Sequence, residues 1–310
     1  MGVSAYHVRG GHLKLVAFHF ARHHIRGGTG IMFTLTLLTV GLIIAAAFIT
    51  PLEELHKSVE QRRVMEEQRR GIQDGRAITK KEVVDEITRN IGKPVAEWAT
   101  DDPDQANFLV NDRPALVSAI LMVLMFAMPF LVCLGSFNQL SGDIQSKGLR
   151  YLLLRTERAN LFLGRFIGTL LFTMVVLAIL LAVIFLYLAF KADFYPAGKV
   201  ALWLLQGYVA LMLFSLPYIA LCAWFSATID SPFACLVICQ LVALVVPAFV
   251  AIGSAIEKNF KYLGYIMPWP LKYQLLHPNP LHFFGAMAAM FAFTAVFLWL
   301  GMLIFQTRDL

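Results

Sequence analysis

Charge is scarce in this 310-residue chain: Asp, Glu, Lys and Arg make up 15% of it, against about 25% in soluble domains. With 58% apolar residues and a mean hydropathy of +0.67, that shortage excludes an ordinary soluble domain. Cysteine is scarce as well. Its four copies (Cys133, Cys222, Cys235, Cys239) all fall inside apolar runs, so no disulfide framework is expected. Cys235 and Cys239 stand four apart on one helix face and could hold a soft metal. No third ligand lies near them in sequence, so small apolar packing residues are the plainer reading and no metal site is expected.

Chemistry-bearing motifs are missing too. No GxxxxGK[ST] phosphate loop, HExxH or GxSxG occurs, so the chain is expected neither to hold ATP by that route nor to be an enzyme. The apolar runs carry almost no charge; Asn138-Gln139 lies at an inner boundary, and Gln206 and Gln240 are the main polar groups at depth. Transport coupled to an ion gradient needs buried ionisable groups along a path, and a charged selectivity ring needs the same. Both are disfavoured.

What is present is six apolar runs, near 29–50, 115–137, 161–190, 199–226, 232–252 and 282–306, each long enough for about 30 Å of hydrocarbon. The expected fold is an all-α polytopic membrane protein: six transmembrane helices, an N-terminal interfacial elbow helix, and short extracytoplasmic re-entrant helices before the last span. The first run ends in AAAFITPLEE without a cleavage signature, so it is read as a retained span. With the N-terminus inside, four Lys/Arg precede the first span, five lie in 138–165, and Arg308 follows the last span. The shorter outer loops hold five. The outer segment 51–113 carries eleven basic against fourteen acidic residues, and so long a loop translocates regardless of charge. A multi-pass membrane protein with both termini cytoplasmic is therefore expected.

The chain divides into a cytoplasmic elbow at 1–28, a first transmembrane helix at 29–50, a helical extracytoplasmic insertion at 51–113, and five further spans at 114–310. In the elbow, Leu13, Val16, Ala17 and Phe20 line one face, opposite His12, His19, His23 and Arg26. Lys14, Arg22 and Arg26 are the expected anchors to lipid headgroups. The His19/His23 spacing suits a metal pair or a pH sensor, but also a plain headgroup-facing cluster. In the insertion, LEELHKSVEQRRVMEEQRR has the acid-to-base spacings of a solvated helix. A break at Gly71–Gly75 precedes a second helix capped by Thr79 with Glu82. Asp101-Asp102-Pro103-Asp104 is expected to end regular structure. Segment 253–281, rich in aromatics and lysines and broken by four prolines, suits a membrane–water interface. It is read as an outer gate, with Tyr262, Tyr265 and Trp269 as its candidate residues. Pro129, Pro217 and Pro247 inside spans permit kinks, as hinges or as fixed shaping.

The stretch SFNQLSGDIQSKGLRYLLLRTERANLFLGR, 136–165, carries Lys147, Arg150, Arg155, Arg158 and Arg165 against Asp143 and Glu157. It resembles the inner loop of type-2 ATP-binding-cassette permeases. Ser141-Gly142-Asp143 stands where that family has S-G-E, Gly148 matches the next glycine with Leu149 in place of threonine, and Leu152–Leu154 match the apolar run. Arg158 matches the arginine, without the preceding proline, and Gly164-Arg165 the glycine-cation pair. The resemblance implies a bacterial permease subunit of the cytoplasmic (inner) membrane that forms a dimer with a second permease copy and binds two copies of a separate ATPase subunit. ATP and magnesium would bind only in that partner. A short coupling helix around Gln139–Lys147 would seat in the ATPase, with Gln139, Ser141, Gly142, Asp143, Gln145, Lys147, Gly148 and Arg158 as the coupling residues. Export of a substrate is the implied activity, membrane lipids are expected contacts, and nucleic acid is not. A second reading stays open: a transport-inactive, ATP-driven mechanotransmitter that acts through 51–113 on an extracytoplasmic protein.

Overall fold

The computed structural model describes residues 10–26, 28–70, 96, 100, 102–191, 196–256 and 264–308. It is an all-α polytopic membrane protein: six of its helices are long and apolar enough to cross a membrane, and no strand occurs among the described residues. In chain order the helices are α1 (Gly10–Arg26), α2 (Gly28–Arg70), α3 (Pro103–Asn107), α4 (Ala115–Ser136), α5 (Ser141–Gln145), α6 (Leu149–Leu153), α7 (Arg158–Lys191), α8 (Ala197–Thr228), α9 (Pro232–Ile256) and α10 (Pro280–Thr307). The six spans lie on α2, α4, α7, α8, α9 and α10.

The helix bounds follow the sequence pattern at some ends and depart from it at others. α2 runs through Pro51 without a break, so the first span and the charged stretch after it are one helix of 43 residues. The Pro51 ring removes one i→i−4 hydrogen bond, and the helix continues on either side of it. α7 starts at Arg158, which makes 158–165 the first two turns of a span rather than loop. α9 continues to Ile256.

Asp102 and Pro103 start a helix instead of ending one. The Asp102 carboxylate accepts from Asp104 N at 2.9 Å and Gln105 N at 3.4 Å, while Pro103 occupies the first helical position, where a missing N–H costs nothing. α3 then passes into a π-helical turn, Phe108–Asp112. The break at Gly71–Gly75, the helix capped by Thr79 and Glu82, Tyr262, and the side chains of His12, His23 and Arg26 lie outside the described residues.

The chain packs as two compact units, 1–37 with 125–178 and 210–310, and 38–124 with 179–209. In the second unit the Trp203 indole donates to Ser118 Oγ at 3.0 Å and meets Phe108 edge-on, with Arg113 over both rings. A Cβ on Gly207 would stand 2.5 Å from Leu121, so that glycine sets how closely α8 approaches α4 there.

In the first unit α1 packs on α7 through a pair of glycines four apart, Gly164 and Gly168. A Cβ at Gly164 would fall 2.7 Å from Val16, and one at Gly168 would fall 2.7 Å from the Ala17 carbonyl. Small residues at this spacing let two helix backbones approach closely. The elbow face read from sequence, Leu13, Val16, Ala17 and Phe20, is therefore the face turned to protein, with Ala17 fully buried. Leu15, Phe18 and Ile25 are exposed instead, on the same side as Arg22. Leu140, Leu149, Leu161, Phe162, Ala223, Ala227 and Phe305 form a core that ties α6 and the turn before α5 to α7, α8 and α10.

Replacing Gly168 by Leu forces a side chain into the Ala17 backbone, which cannot rotate away. Overpacking of this kind costs about 1–3 kcal/mol, so G168L is expected to lower the thermal midpoint of the detergent-solubilised protein. Gly285→Ala, where a Cβ meets nothing within 4 Å, is expected not to lower it.

Candidate functional site

The segment between α4 and α7 is a fastened platform. α4 ends at Ser136, and the Asn138 side-chain oxygen then accepts from Gly142 N at 2.9 Å. That contact requires glycine, since a Cβ on Gly142 would lie 2.5 Å from Asn138 Oδ1. Ser226 of α8 supplies the second clasp: its hydroxyl accepts from Leu140 N at 2.7 Å and Ser141 N at 2.9 Å. The free donors that every helix start leaves are satisfied from a neighbouring helix. Gln139 donates from Nε2 to Ile219 O at 3.1 Å, which adds another tie to α8.

Arg165 holds the platform from the α7 side. One guanidinium nitrogen donates to Gln139 O and another to an Asp143 carboxylate oxygen, and the cation lies 5.2 Å from the Phe20 ring centre of α1. Arg165 is only 6% exposed. A buried guanidinium is costly to desolvate unless its charge and donors are met, and three separate elements meet them here. The flanking Gly164 and Gly168 bring α1 close enough for Phe20 to take part.

Past α5 the chain reverses at Lys147, which has φ of 56°. A non-glycine residue in the left-handed region costs about 1–2 kcal/mol. It aims the chain into α6, whose N-terminal flank is Gly148. Arg158 then reaches α10, donating to the carbonyls of Phe305 at 3.1 Å, Gln306 at 2.9 Å and Arg308 at 2.8 Å. A cation on the last carbonyls suits the negative end of the helix dipole. Arg308 repeats the pattern on α8, donating to Ala227 O and pairing with Asp230.

The sequence-derived coupling residues thus separate into two groups, with the half-buried Gly148 between them. Gln139, Ser141, Gly142, Asp143 and Arg158 are engaged within the chain, while Gln145 and Lys147 are exposed. Exposed beside them are Arg150, Tyr151, Leu152, Leu154 and Arg155, with Tyr151 76% and Leu154 84% accessible. Ile144, Gln145, Lys147, Leu149, Arg150, Asp230 and Arg308 line a cleft of about 360 Å³ on this face. Sequence reasoning passed over Ser226 and Asn138 as clasps and Tyr151 and Leu154 as exposed surface. Apolar side chains in a basic loop were a usable signal; the role of Ser226, 85 residues from its partner, was not. The site also keeps three buried oxygens without a partner, Ser136 Oγ, Gln139 Oε1 and Asn160 Oδ1.

Of the elbow anchors, Lys14 and Arg22 are exposed. Of the gate residues, Tyr265 is exposed and Trp269 is held by α4, 5.1 Å from the Phe126 ring and 6.2 Å from Phe130. The described part of segment 253–281 includes the short 3-10 turns Trp269–Leu271 and Tyr273–Leu276. Between them Lys272 is buried, its ammonium 4.7 Å from the Trp269 ring centre and 4.4 Å from that of Tyr273. Burial pulls the Lys272 pKa down to about 8 and pushes Tyr273 up to about 12. No family model matches this chain, and no curated protein matches it.

Two predictions follow from this geometry. Arg165→Met leaves Asp143 and the Gln139 carbonyl without their donor. Breaking a buried pair costs about 3–5 kcal/mol, and the half-exposed carboxylate puts the loss near the lower end; Asp143→Asn is expected to cost less, read from unfolding midpoints. For Lys272 the folded pKa lies below the unfolded one, so the unfolded chain binds more protons between pH 8 and pH 10.5. The stability of the wild type relative to K272M is therefore expected to rise across that window and to stay flat from pH 6 to pH 7.

Proposed function

We propose that this protein is the membrane-spanning permease subunit of an ATP-driven export system, worked by a separate ATPase through the platform at 137–157. The observation that carries this reading is the division of that segment into a clasped inner side and an exposed outer side. Gln139, Asp143, Ser226 and Arg165 bind the short helix α5 and the turn before it to α7 and α8, and Asn138 closes that turn. Gln145, Lys147, Arg150, Tyr151 and Leu154 offer charge and apolar area to a partner.

A surface loop that only joined two spans would have no need of five interhelical ties. A lever does. Displacement of α5 by a docked partner would pass through Arg165 to α7 and α1, and through Ser226 to α8, because these side chains join the elements directly. The ATPase, two copies of it by resemblance to type-2 ATP-binding-cassette permeases, would carry ATP and magnesium. This chain would supply the path, paired with a second copy of itself in a bacterial inner membrane, with the platform in the cytoplasm. Cargo need only bind one arrangement of the spans better than another for work to be done on it.

One observation favours the mechanotransmitter reading as well. α2 carries a helical backbone from the first span through Pro51 to Arg70, well beyond the apolar stretch that ends at Thr50. Such a helix could convey motion to a protein outside the membrane.

The proposal is tested by expressing a tagged chain in its native host, identifying any ATPase subunit that co-purifies, and measuring ATP turnover of the pair in nanodiscs. Replacing exposed Tyr151 and Leu154 with Ser is expected to abolish co-purification while leaving the permease's unfolding midpoint unchanged. Arg165→Met is expected to keep the partner but uncouple its ATPase rate from cargo. Retention of full partner binding by the Tyr151/Leu154 double variant would remove the platform from consideration.

A further inference from the structure

All four cysteines of the chain meet in one place. Cys133 comes from α4, Cys222 from α8, and Cys235 and Cys239 from α9; together with Ala243 they form one buried cluster, each thiol residue 0% exposed. Cys133 and Cys222 stand with their sulfurs 3.6 Å apart, and Cys235 and Cys239 with theirs 4.0 Å apart. The cluster lies about one helical turn inside the platform end. Cys133 precedes the last residue of α4 by three positions, and Cys235 follows the first residue of α9 by three.

Nothing in the fold calls for sulfur here. Ala or Val would fill such a position between helices, and the remaining 306 residues contain no cysteine at all. Segments as much as 106 residues apart nevertheless deliver their thiols to one spot. The hydrogen bonds present are weak: Cys222 donates to Cys133, Cys133 reaches Cys239 O at 4.0 Å, and Cys235 donates to Phe137 O at 3.2 Å. Hard cations take oxygen ligands, whereas the residues packed on this cluster include Ala243, Phe130, Phe137, Phe225 and Ile229. Among the described residues no group of three or more His, Cys, Asp or Glu side chains is arranged about a single ion position. The arrangement therefore does not suit tetrahedral zinc, which takes four ligands.

A soft d10 monovalent ion needs fewer. Thiolates select copper(I) over harder ions, and two sulfurs on opposite sides of an ion stand about 4.6 Å apart if each bond is near the zinc–thiolate length. Cys133 and Cys222, on different helices and 3.6 Å apart, reach that separation with about 1 Å of side-chain movement. We propose that Cys133 and Cys222 form a buried two-sulfur site for copper(I) or a like soft monovalent cation. Cys239 and Cys235 supply the polarisable wall around it.

The charge balance is simple. One thiol gives up its proton to the solvent, and its thiolate and the neutral second sulfur each donate a lone pair to the ion. The occupied site then has no net charge, as burial demands. No electron is transferred. Entry is by exchange at the platform end, a single turn away.

The test uses the reduced full-length protein in lipid nanodiscs under anaerobic conditions, titrated with copper(I) against a chromophoric copper(I) chelator. The expected result is one ion retained per chain, about one proton released per ion, and two sulfur neighbours around the metal by X-ray absorption. Cys133→Ala with Cys222→Ala is expected to lose the retention. Should that variant fail to fold, the sulfur count in the wild type decides alone: oxygen or nitrogen neighbours overturn the proposal. Failure of the wild type to compete with the chelator overturns it too, as does equal retention of zinc(II) or equal retention by the double variant.

Discussion

A buried guanidinium cannot be left unmet, and Arg165 imposes that condition on three parts of the chain at once. Its charge is answered by Asp143 of α5, its second donor by the Gln139 carbonyl at the turn, and its flat face by Phe20 of α1. Each of these contacts presupposes something else. Phe20 arrives only because Gly164 and Gly168 remove the side chains that would hold α1 off, and Asp143 arrives only because Gly142 lets Asn138 close the turn tightly. Sequence, local turn and helix packing therefore converge on one ion pair, and the shape of the platform follows from satisfying it.

The same logic explains why the platform is stiff where it is polar and bare where it is apolar. Polar groups at 138–143 find partners on neighbouring helices, so they are consumed in holding the segment. The groups left over, Lys147, Arg150, Tyr151, Leu154 and Arg155, have no comparable partner inside the described chain and face outward. Asp143 illustrates the difference between a motif and its use. Its position in a recognisable pattern suggested an outward contact; one carboxylate oxygen pairs with Arg165, while the side chain stays partly exposed.

Much of the fold was readable because lipid imposes a strong length and composition rule. All six spans could be placed from hydropathy, within a few residues. Errors arose at helix ends, where short-range chemistry outweighs composition: Asp102 and Pro103 begin a helix, and α7 takes up two turns expected to be loop. The candidate site was half legible. Its location and its charged members stood out, but the clasps from Ser226 and the carbonyl ends of α10 depend on contacts 86 and 147 or more positions apart. The elbow's apolar face was visible, yet its partner was not; only the pair of glycines on α7 says that it turns to protein. The gathering of Cys133 and Cys222 with Cys235 and Cys239 was hidden for the same reason, since adjacency in space left no trace in their spacing.

The sealing of those four thiols has a practical side. With every native cysteine fully enclosed, maleimide reagents added to the folded protein have no native target in the described chain. Single cysteines placed on the platform or on α1 can then be labelled in the native background. The natural thiols stay in place, and probes for distance or accessibility can be read without first rebuilding the core.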